Sequence, residues 1–369
     1  MKVLINTTNL VIGGAIQVST SFLEALKNHH NNEYHIFLSQ KIIEQIDEKS
    51  FQKNFVFYHF STSPASLIRG REVRKKLSYL ELKIKPDIVF TVFGPSYWQP
   101  RSLHITGFAD GWCYTPNSIA FNKLSIRRKI KSKFLIAIKN KLIKKSDYLI
   151  VETETAKKNI FKYLHYPLEK IFVVGNTFHQ SYLNQPIKKG NKKNEVFKLL
   201  VLSAFYPHKN LEIINDVVEI LKVKSKVKFE FCLTIPNNSF EKYFKKSDYI
   251  KNIGPQTIVD CKVLYERTNA LFLPTLLETF TANYPEAMIM KVPILTSDLD
   301  FARELCDDAA LYFDPMSPED IASKIIELHG NEILQKQLVE RGELMIQQFE
   351  TADSRTAKYL SIFKDILKN

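Results

Sequence analysis

Two doubly wound α/β domains are the fold class this sequence predicts, and three observations carry the prediction. The chain has 369 residues and is 45% hydrophobic, enough for two ordinary domains, each with its own core. Short apolar runs alternate with helical or polar stretches as far as residue 176. A polar, Lys- and Asn-rich stretch, NQPIKKGNKKNE at 184–195, then interrupts the alternation, which restarts beyond it.

Strands are expected at KVLINTT, YHIFLS, NFVFYHF, PDIVFTVF, HITGFAD, DYLIVET and KIFVVGN in the first half. In the second half they are expected at FKLLVLSAF, KFEFCLTI, YIKNIG, ALFLPT, PILTS and ALYFD. Continuous apolar runs of this length, separated by helices, indicate parallel sheets covered on both faces. The domains are therefore predicted at 1–183 and 196–349, with a linker between them. SPEDIASKIIEL opens a helix with Ser317 as N-cap and Pro318 in the first turn, and Asp320 follows three residues after the cap. A last helical stretch, about 351–368, has no strand after it, and no solenoid repeat or low-complexity tract is present.

Four scattered cysteines, Cys113, Cys232, Cys261 and Cys306, form no CxxC pair and no metal-ligand spacing, which fits a reducing cytoplasm. MKVLINTTNLVIGG reads as a strand running into a glycine loop rather than a signal peptide, and no run reaches the length of a membrane span. The expectation is a protein neither exported nor integral to a membrane. Its net charge of +13 implies an anionic partner, and nucleic acid, anionic lipid and sugar nucleotides all qualify. The excess is concentrated at 121–145, FNKLSIRRKIKSKFLIAIKNKLIKK, which holds ten Lys or Arg and no acid. Leu124, Ile130, Phe134, Leu135, Ile138, Leu142 and Ile143 recur there at roughly helical spacing. Two readings stay open: a basic amphipathic helix on an anionic membrane, or a solvated helix whose apolar stripe packs on its own domain.

The stretch LLETFTANYPEAMIMKVPILTSDLD, 276–300, sets Glu278 and Glu286 eight positions apart, after one predicted strand and before the next. In open α/β sheets ligands bind beyond the carboxyl ends of strands. Free amides of the loop and helix start suit a phosphate, and carboxylates accept hydrogen bonds from vicinal hydroxyls. A ribose or hexose carrying a diphosphate matches that combination. Spacing alone favours a plainer account: Glu286 as a first-turn acid favoured by the helix dipole, and Glu278 as an exposed loop residue.

From Leu273 to Pro315 the sequence resembles the E-x7-E region of retaining GT-B glycosyltransferases of family 4. The resemblance rests on Pro274 and Thr275, Glu278, Phe280 with Thr281, Glu286 with Ala287 and Met288, Val292 with Pro293, and Thr296 with Ser297. It implies that Glu278 contacts hydroxyls of a donor sugar and Glu286 the nucleotide ribose, with Phe280 and Thr281 in the same donor-binding loop. Upstream, VLSAFYPHKN is similar to the family's strand and phosphate-binding loop, which makes Lys209 the phosphate ligand. An ammonium there would stabilise the departing diphosphate, where charge develops. The chain departs from the family at Ala204, where an Arg is common, leaving His208, Arg303 or another base to supply a second positive charge. Thr281 and Asn283 also stand where Gly and Pro are usual, which bears on the sugar accepted.

The N-terminal half resembles the family more weakly. NLVIGGAIQVSTSFLEAL is similar to its first strand, glycine loop and helix, with Gly13 and Gly14 permitting close approach of backbone to donor. In ITGFADGW, Asp110 matches an aspartate of the cleft, but Ala109 replaces the usual histidine, and His104 reads as a packed core residue. Thr153, beside Glu152, is expected to cap a helix. The resemblance implies a GT-B enzyme whose two doubly wound Rossmann-like domains face a central cleft. Its N-terminal domain would bind the acceptor and its C-terminal domain the nucleotide sugar, and the helix at 350–369 would return to the N-terminal domain. A hexose would pass with retention and without a metal or other cofactor to a saccharide, lipid-linked or of the cell envelope. A nucleotide-sugar epimerase or phosphorylase of the same fold is the alternative. A basic nucleic-acid-binding protein is a further one, although no zinc finger or RRM signature accompanies the charge.

Overall fold

The computed structural model describes residues 1–11, 13–183 and 196–368. The polar stretch at 184–195, expected to be the linker, lies outside the described residues. The chain divides into two compact units, one of Met1–Pro116, Ile130–Asn176 and Glu350–Asn369, the other of Asn117–Lys129 and Thr177–Phe349.

The first unit holds strands β1 Lys2–Asn6, β2 Glu33–Ser39, β3 Phe55–Phe60, β4 Ile88–Thr91, β5 Leu103–Gly107, β6 Tyr148–Val151 and β7 Ile171–Val173. They form one parallel sheet in the order β3-β2-β1-β4-β5-β6-β7. Its helices are α1 Gly14–Leu26, α2 Gln40–Ile43, α3 Gly70–Ile84, α4 Gly111–Tyr114, α5 Ile126–Ile143, which counts with this unit from Ile130 on, and α6 Glu154–Asn159. The register sorts them by face, because alternate residues of a strand point to opposite sides. Leu4 pairs with Val89, Val89 with His104, and Thr106 with Leu149, so these side chains share one face. On it Leu77 and Ile84 of α3 pack with Leu4 and Val89, and Ile143 of α5 packs with Leu149 and Val151. The opposite face carries Val3, Ile5, Phe90 and Ile105 under Phe22 and Leu26 of α1.

The second unit repeats the plan with β8 Val196–Val201, β9 Lys228–Leu233, β10 Ile250–Asn252, β11 Ala270–Leu273, β12 Ile294–Ser297 and β13 Ala310–Phe313. Their order is β10-β9-β8-β11-β12-β13, again all parallel. Helices α7 Ile213–Lys224, α8 Asn237–Tyr243, α9 Ile258–Glu266, α10 Asn283–Ile289, α11 Asp300–Cys306, α12 Pro318–Gly330 and α13 Glu332–Met345 connect or cover these strands. Ser317 caps α12 by accepting from the Asp320 amide at 3.2 Å. Every run read as a strand in the sequence is a strand here, and the fold is two parallel-sheet Rossmann-like α/β units.

The terminal helix α14, Ala352–Lys368, packs on α1 in the first unit. Its Tyr359, Leu360 and Phe363 join the core there. Arg355, only 1% exposed, donates to Asn176 Oδ1 at 2.5 Å and Ser21 Oγ at 3.2 Å.

A single division at residue 183 does not describe these units. Residues 117–129 count with the second, as do 177–183. The causes are local: Ser118 Oγ donates to the Leu276 carbonyl at 3.4 Å, and the turn at Ile119–Lys123 packs on the turn at Pro207–Lys209. Tyr182 is buried in the second unit's core beside Tyr265 and Tyr284. The basic segment also differs from one continuous helix over 121–145. A 3-10 turn at Ile119–Lys123 precedes α5, and most of the apolar stripe of α5 is exposed rather than packed.

Candidate active site

In the second unit, connections run from β8 outward to β9 and β10 on one side, and β11 to β13 follow on the other. The strand order therefore reverses between β8 and β11, the place where open α/β sheets hold their ligands. The loops following these two strands bear Lys209 and Glu278.

Backbone and side-chain bonds fix both loops. The Leu276 amide donates to the His208 carbonyl at 2.7 Å, joining one loop to the other. Leu276 and Leu277 are buried and anchor the residue that follows them. Asn210, fully buried and left-handed at φ 55°, donates through Nδ2 to the Pro315 carbonyl at 2.8 Å beyond β13. Asn283 Nδ2 donates to the Leu202 carbonyl at 2.7 Å, tying the start of α10 to the end of β8. On this support the Lys209 ammonium donates to Glu278 Oε1, with the two side chains 17% and 14% exposed. Two residues 69 positions apart in sequence thus form a largely desolvated ion pair at the reversal of strand order.

Glu286 lies in the first turn of α10. Its Oε2 accepts from Tyr182 at 3.2 Å and Tyr265 at 3.4 Å. Burial pushes its pKa from the ordinary 4.5 up to about 7, and the two hydroxyls, which favour the ionised form, only partly oppose that. Both tyrosines are held neutral in turn, by burial first and by Glu286 second. Sequence spacing found Glu286 but missed this pair, since Tyr182 and Tyr265 come from distant segments and no motif marks them.

The remaining predicted residues fall in different places. Thr281 Oγ1 accepts from the Asn283 amide at 3.4 Å beside the start of α10. The Phe280 ring packs edge-on against Phe349, with centroids 6.1 Å apart, and joins the core. Arg303 is not brought to Lys209: it holds Asp298 with two bonds of 2.7 and 2.9 Å and lies over the Tyr312 ring. The His208 ring stacks on Tyr206. Tyr206 also lines a cavity of about 790 Å³ with Lys123, Arg128, Glu212 and Lys242, and none of Lys209, Glu278 and Glu286 lines it.

In the first unit, Asp110 ends the loop after β5 and accepts from Lys139 of α5 at 2.6 Å. Burial pulls the Lys139 ammonium down, but the Asp110 carboxylate outweighs it and the net shift is upward. Lys139 was not singled out by sequence because it is one of ten bases in its segment. Gly13, at φ 87°, and Gly14 precede and open α1, and a Cβ on either would meet open space. His104 is a core residue: Nε2 lies 3.0 Å from Thr91 Oγ1 and 3.2 Å from Thr106 Oγ1, and burial lowers its pKa to about 4. Thr153 caps α6 through the Ala156 amide at 3.2 Å, and Glu152 accepts from Asn176 Nδ2 at 2.8 Å. Among the described residues, no group of three or more His, Cys, Asp or Glu could hold a metal, and no helix is long and apolar enough to cross a membrane.

Comparison with known proteins gives this geometry a context. Residues 184–345 match the family model of glycosyl transferases group 1. The O-antigen chain mannosyltransferase RfbU of Salmonella typhimurium is 24% identical over 198 residues, which make up 52% of this chain and 52% of that one. The match thus spans about half of that relative's length. A glycosyltransferase of Rickettsia africae superposes with a TM-score of 0.76 at 16% identity, over 100% of this chain and 99% of that one. Anabaena HepE, solved with UDP and glucose, superposes with a TM-score of 0.70 at 12% identity, covering 99% of this chain and 100% of HepE. At such identities the solved structures establish the fold, which is that of GT-B glycosyltransferases.

Proposed function

We propose that the chain is a group 1 glycosyltransferase that moves a hexose-type sugar, with retention, from a nucleotide-sugar donor to a saccharide acceptor. The acceptor is a lipid-linked or cell-envelope glycan, a reading supported by the O-antigen mannosyltransferase among its relatives. The observation that carries the proposal is the Lys209–Glu278 pair at the strand-order reversal, with Glu286 in the first turn of the following helix.

The chemistry follows from the pair. A donor diphosphate offers Lys209 a stronger anion than a single carboxylate, so the ammonium changes partner when donor binds. Glu278, released, turns its lone pairs to sugar hydroxyls, while Glu286 accepts from a ribose hydroxyl and gives up its proton as it does so. As the bond between sugar and phosphate breaks, negative charge grows on the diphosphate and Lys209 stabilises it most at that moment. Asp110, Gly14 and the Thr281 loop take supporting roles toward acceptor and donor. No residue is required to hold a metal in this scheme, and the acceptor class implies work at a membrane surface.

Binding of nucleoside diphosphate alone separates the three roles. Glu278→Gln should bind it nearly normally yet turn over slowly, because its contacts are to the absent sugar. Glu286→Gln and Lys209→Ala should bind it poorly, the first through ribose and the second through phosphate. Equal affinity in all three variants would sink the assignment. The anomeric configuration of the product, read by NMR with an accepted nucleotide sugar, tests retention.

A further inference from the structure

The cavity beside Tyr206 holds charge that the protein itself leaves unneutralised. It measures about 790 Å³, and Lys123, Arg128 and Lys242 line it together with a single acid, Glu212. Among the described residues, none of these four side chains enters an ion pair. Other lysines of the same unit do, such as Lys222 with Glu219 and Lys324 with Glu327. Three bases facing one concave space without a carboxylate partner make a place for an anion.

All of its walls belong to the second unit. The loop after β8 supplies Phe205 and Tyr206, with Glu212 at its end, and α8, which follows β9, supplies Lys242 and Tyr243. Lys123 and Arg128 come from the segment 117–129 that counts with this unit. Strands β8 and β9 are parallel neighbours, so both loops leave the carboxyl end of the sheet, where open α/β folds bind ligands. The Lys209–Glu278 pair joins the loops after β8 and β11, and β11 lies on the other side of β8 from β9. The cavity is therefore a separate place, on the β9 side of the loop that carries Lys209.

Packing fixes its aromatic walls. The Phe205 ring stacks on Tyr243, with centroids 4.7 Å and planes 26° apart, and meets Phe244 of the core. Asn215 of α7 donates through Nδ2 to the Tyr243 carbonyl at 3.0 Å and accepts through Oδ1 from the Lys245 amide at 3.1 Å, which holds the end of α8. The Tyr206 ring lies within 6° of parallel to His208, and the Tyr206 carbonyl accepts from the Lys209 amide at 2.9 Å. Tyr206 and Tyr243 nevertheless keep 42% and 38% of their surface exposed. Oriented rings thus stand open to solvent beside unpaired bases.

We propose that this cavity binds an acidic saccharide, a hexose that carries a phosphate or a uronic acid carboxylate. The anionic group meets Lys123, Arg128 and Lys242, and the planar fork of Arg128 suits two oxygens at once. Sugar hydroxyls donate to Glu212 and meet the side chains of Asn238 and Ser239, while the apolar face of the sugar ring lies on a tyrosine. Sites for small ligands measure roughly 300–1,000 Å³, so inorganic phosphate would leave most of this one empty and would face Glu212 as a like charge. A nucleotide would satisfy the bases but carries hydroxyls on its ribose alone, whereas a saccharide presents them on every side. The inference goes beyond the sugar transfer proposed above and does not require it. Its ligand is a free sugar phosphate or an acidic residue of a longer glycan.

Saturation-transfer NMR on the full chain tests it, with glucose 6-phosphate as the free sugar phosphate and trigalacturonate as the acidic glycan. At least one should bind, its ring protons taking up saturation, and the one that binds identifies the source. Glucose should bind at least about tenfold more weakly, since it lacks the hydrogen bonds to charged groups, and salt should weaken the bound probe. Arg128→Gln with Lys242→Gln should lower its affinity at least about tenfold, and Tyr206→Ala should remove most of the saturation of its ring protons. These side chains are exposed, so the thermal midpoint should hold. Lys209→Ala should leave probe binding nearly unchanged, because Lys209 does not line the cavity. The inference is overturned if neither probe binds, or if inorganic phosphate binds as tightly as glucose 6-phosphate. It is also overturned if UMP binds the Lys209→Ala protein more tightly than either probe. Loss of probe binding in Lys209→Ala with none in the cavity variants would overturn it too, while leaving the proposed sugar transfer standing.

Discussion

Glu286→Gln should make the ligand-free protein more stable above neutral pH, and the reason is the environment that Tyr182 and Tyr265 share with this carboxyl. In the unfolded chain the group ionises near 4.5, whereas burial in the folded chain delays ionisation to about 7. Between those values the folded state binds more protons than the unfolded one, so stability falls as pH rises. Each pH unit in that window is worth about 1.4 kcal/mol. The span from 4.5 to about 7 therefore sets a ceiling of about 3 kcal/mol, fully lost above the folded value. Glutamine keeps an oxygen to accept from both tyrosines and never ionises. Urea denaturation should find variant and parent similar near pH 5, with the variant more stable by about 1–3 kcal/mol near pH 8. A difference that does not change with pH would refute the reasoning.

Three further outcomes are expected. Lys139→Met strips Asp110 of its ammonium, and a double-mutant cycle with Asp110→Asn should give a coupling of about 0.5–3 kcal/mol; additive effects would mean that the contact carries no energy. Arg355→Ala removes the bonds to Asn176 and Ser21 and opens a cavity where a buried side chain stood, so urea denaturation should show a loss of about 2–4 kcal/mol. A loss under about 1 kcal/mol would count against the bonds that fasten α14. Gly70→Ala pushes a Cβ toward the Pro64 carbonyl and should lower stability by about 1–3 kcal/mol, with an unchanged midpoint showing that the loop before α3 is loose.

The fold was legible because its strongest determinant is local. Thirteen apolar runs could be read as strands, since residues such as Val3, Leu4 and Ile5 need no knowledge of their neighbours to be recognised as two-sided core. Division of the chain was less legible, because it depends on tertiary pairing. Ser118 joins the second unit through the Leu276 carbonyl, 158 residues away, and nothing around Ser118 announces that partner. The stripe of α5 shows the limit of periodicity. Helical spacing identified Ile130, Phe134 and Ile138 as one face, yet spacing says nothing of what covers a face, and here solvent does.

The candidate site divides along the same line. Glu278, Glu286 and Lys209 could be singled out because the segments that carry them, Leu273 to Pro315 and VLSAFYPHKN, resemble a known family, and such a resemblance is read from contiguous residues. Their partners could not. The pKa of Glu286 is raised by burial, an effect partly offset by Tyr182, which precedes it by 104 residues, and by Tyr265, while Asp110 takes its partner from one lysine in a segment full of them. Motif reading thus locates the charges but not their protonation or pairing, and in a site proposed to bind a diphosphate those properties decide affinity. A variant that preserves all three motif residues and alters Tyr182 alone should therefore shift the pH dependence of stability described for Glu286. Tyr182→Phe removes a donor that favours the ionised form, so the carboxyl should hold its proton to higher pH and the window of declining stability should extend upward. An unchanged window in Tyr182→Phe would show that burial alone sets the behaviour of Glu286 and that the tyrosine serves only packing.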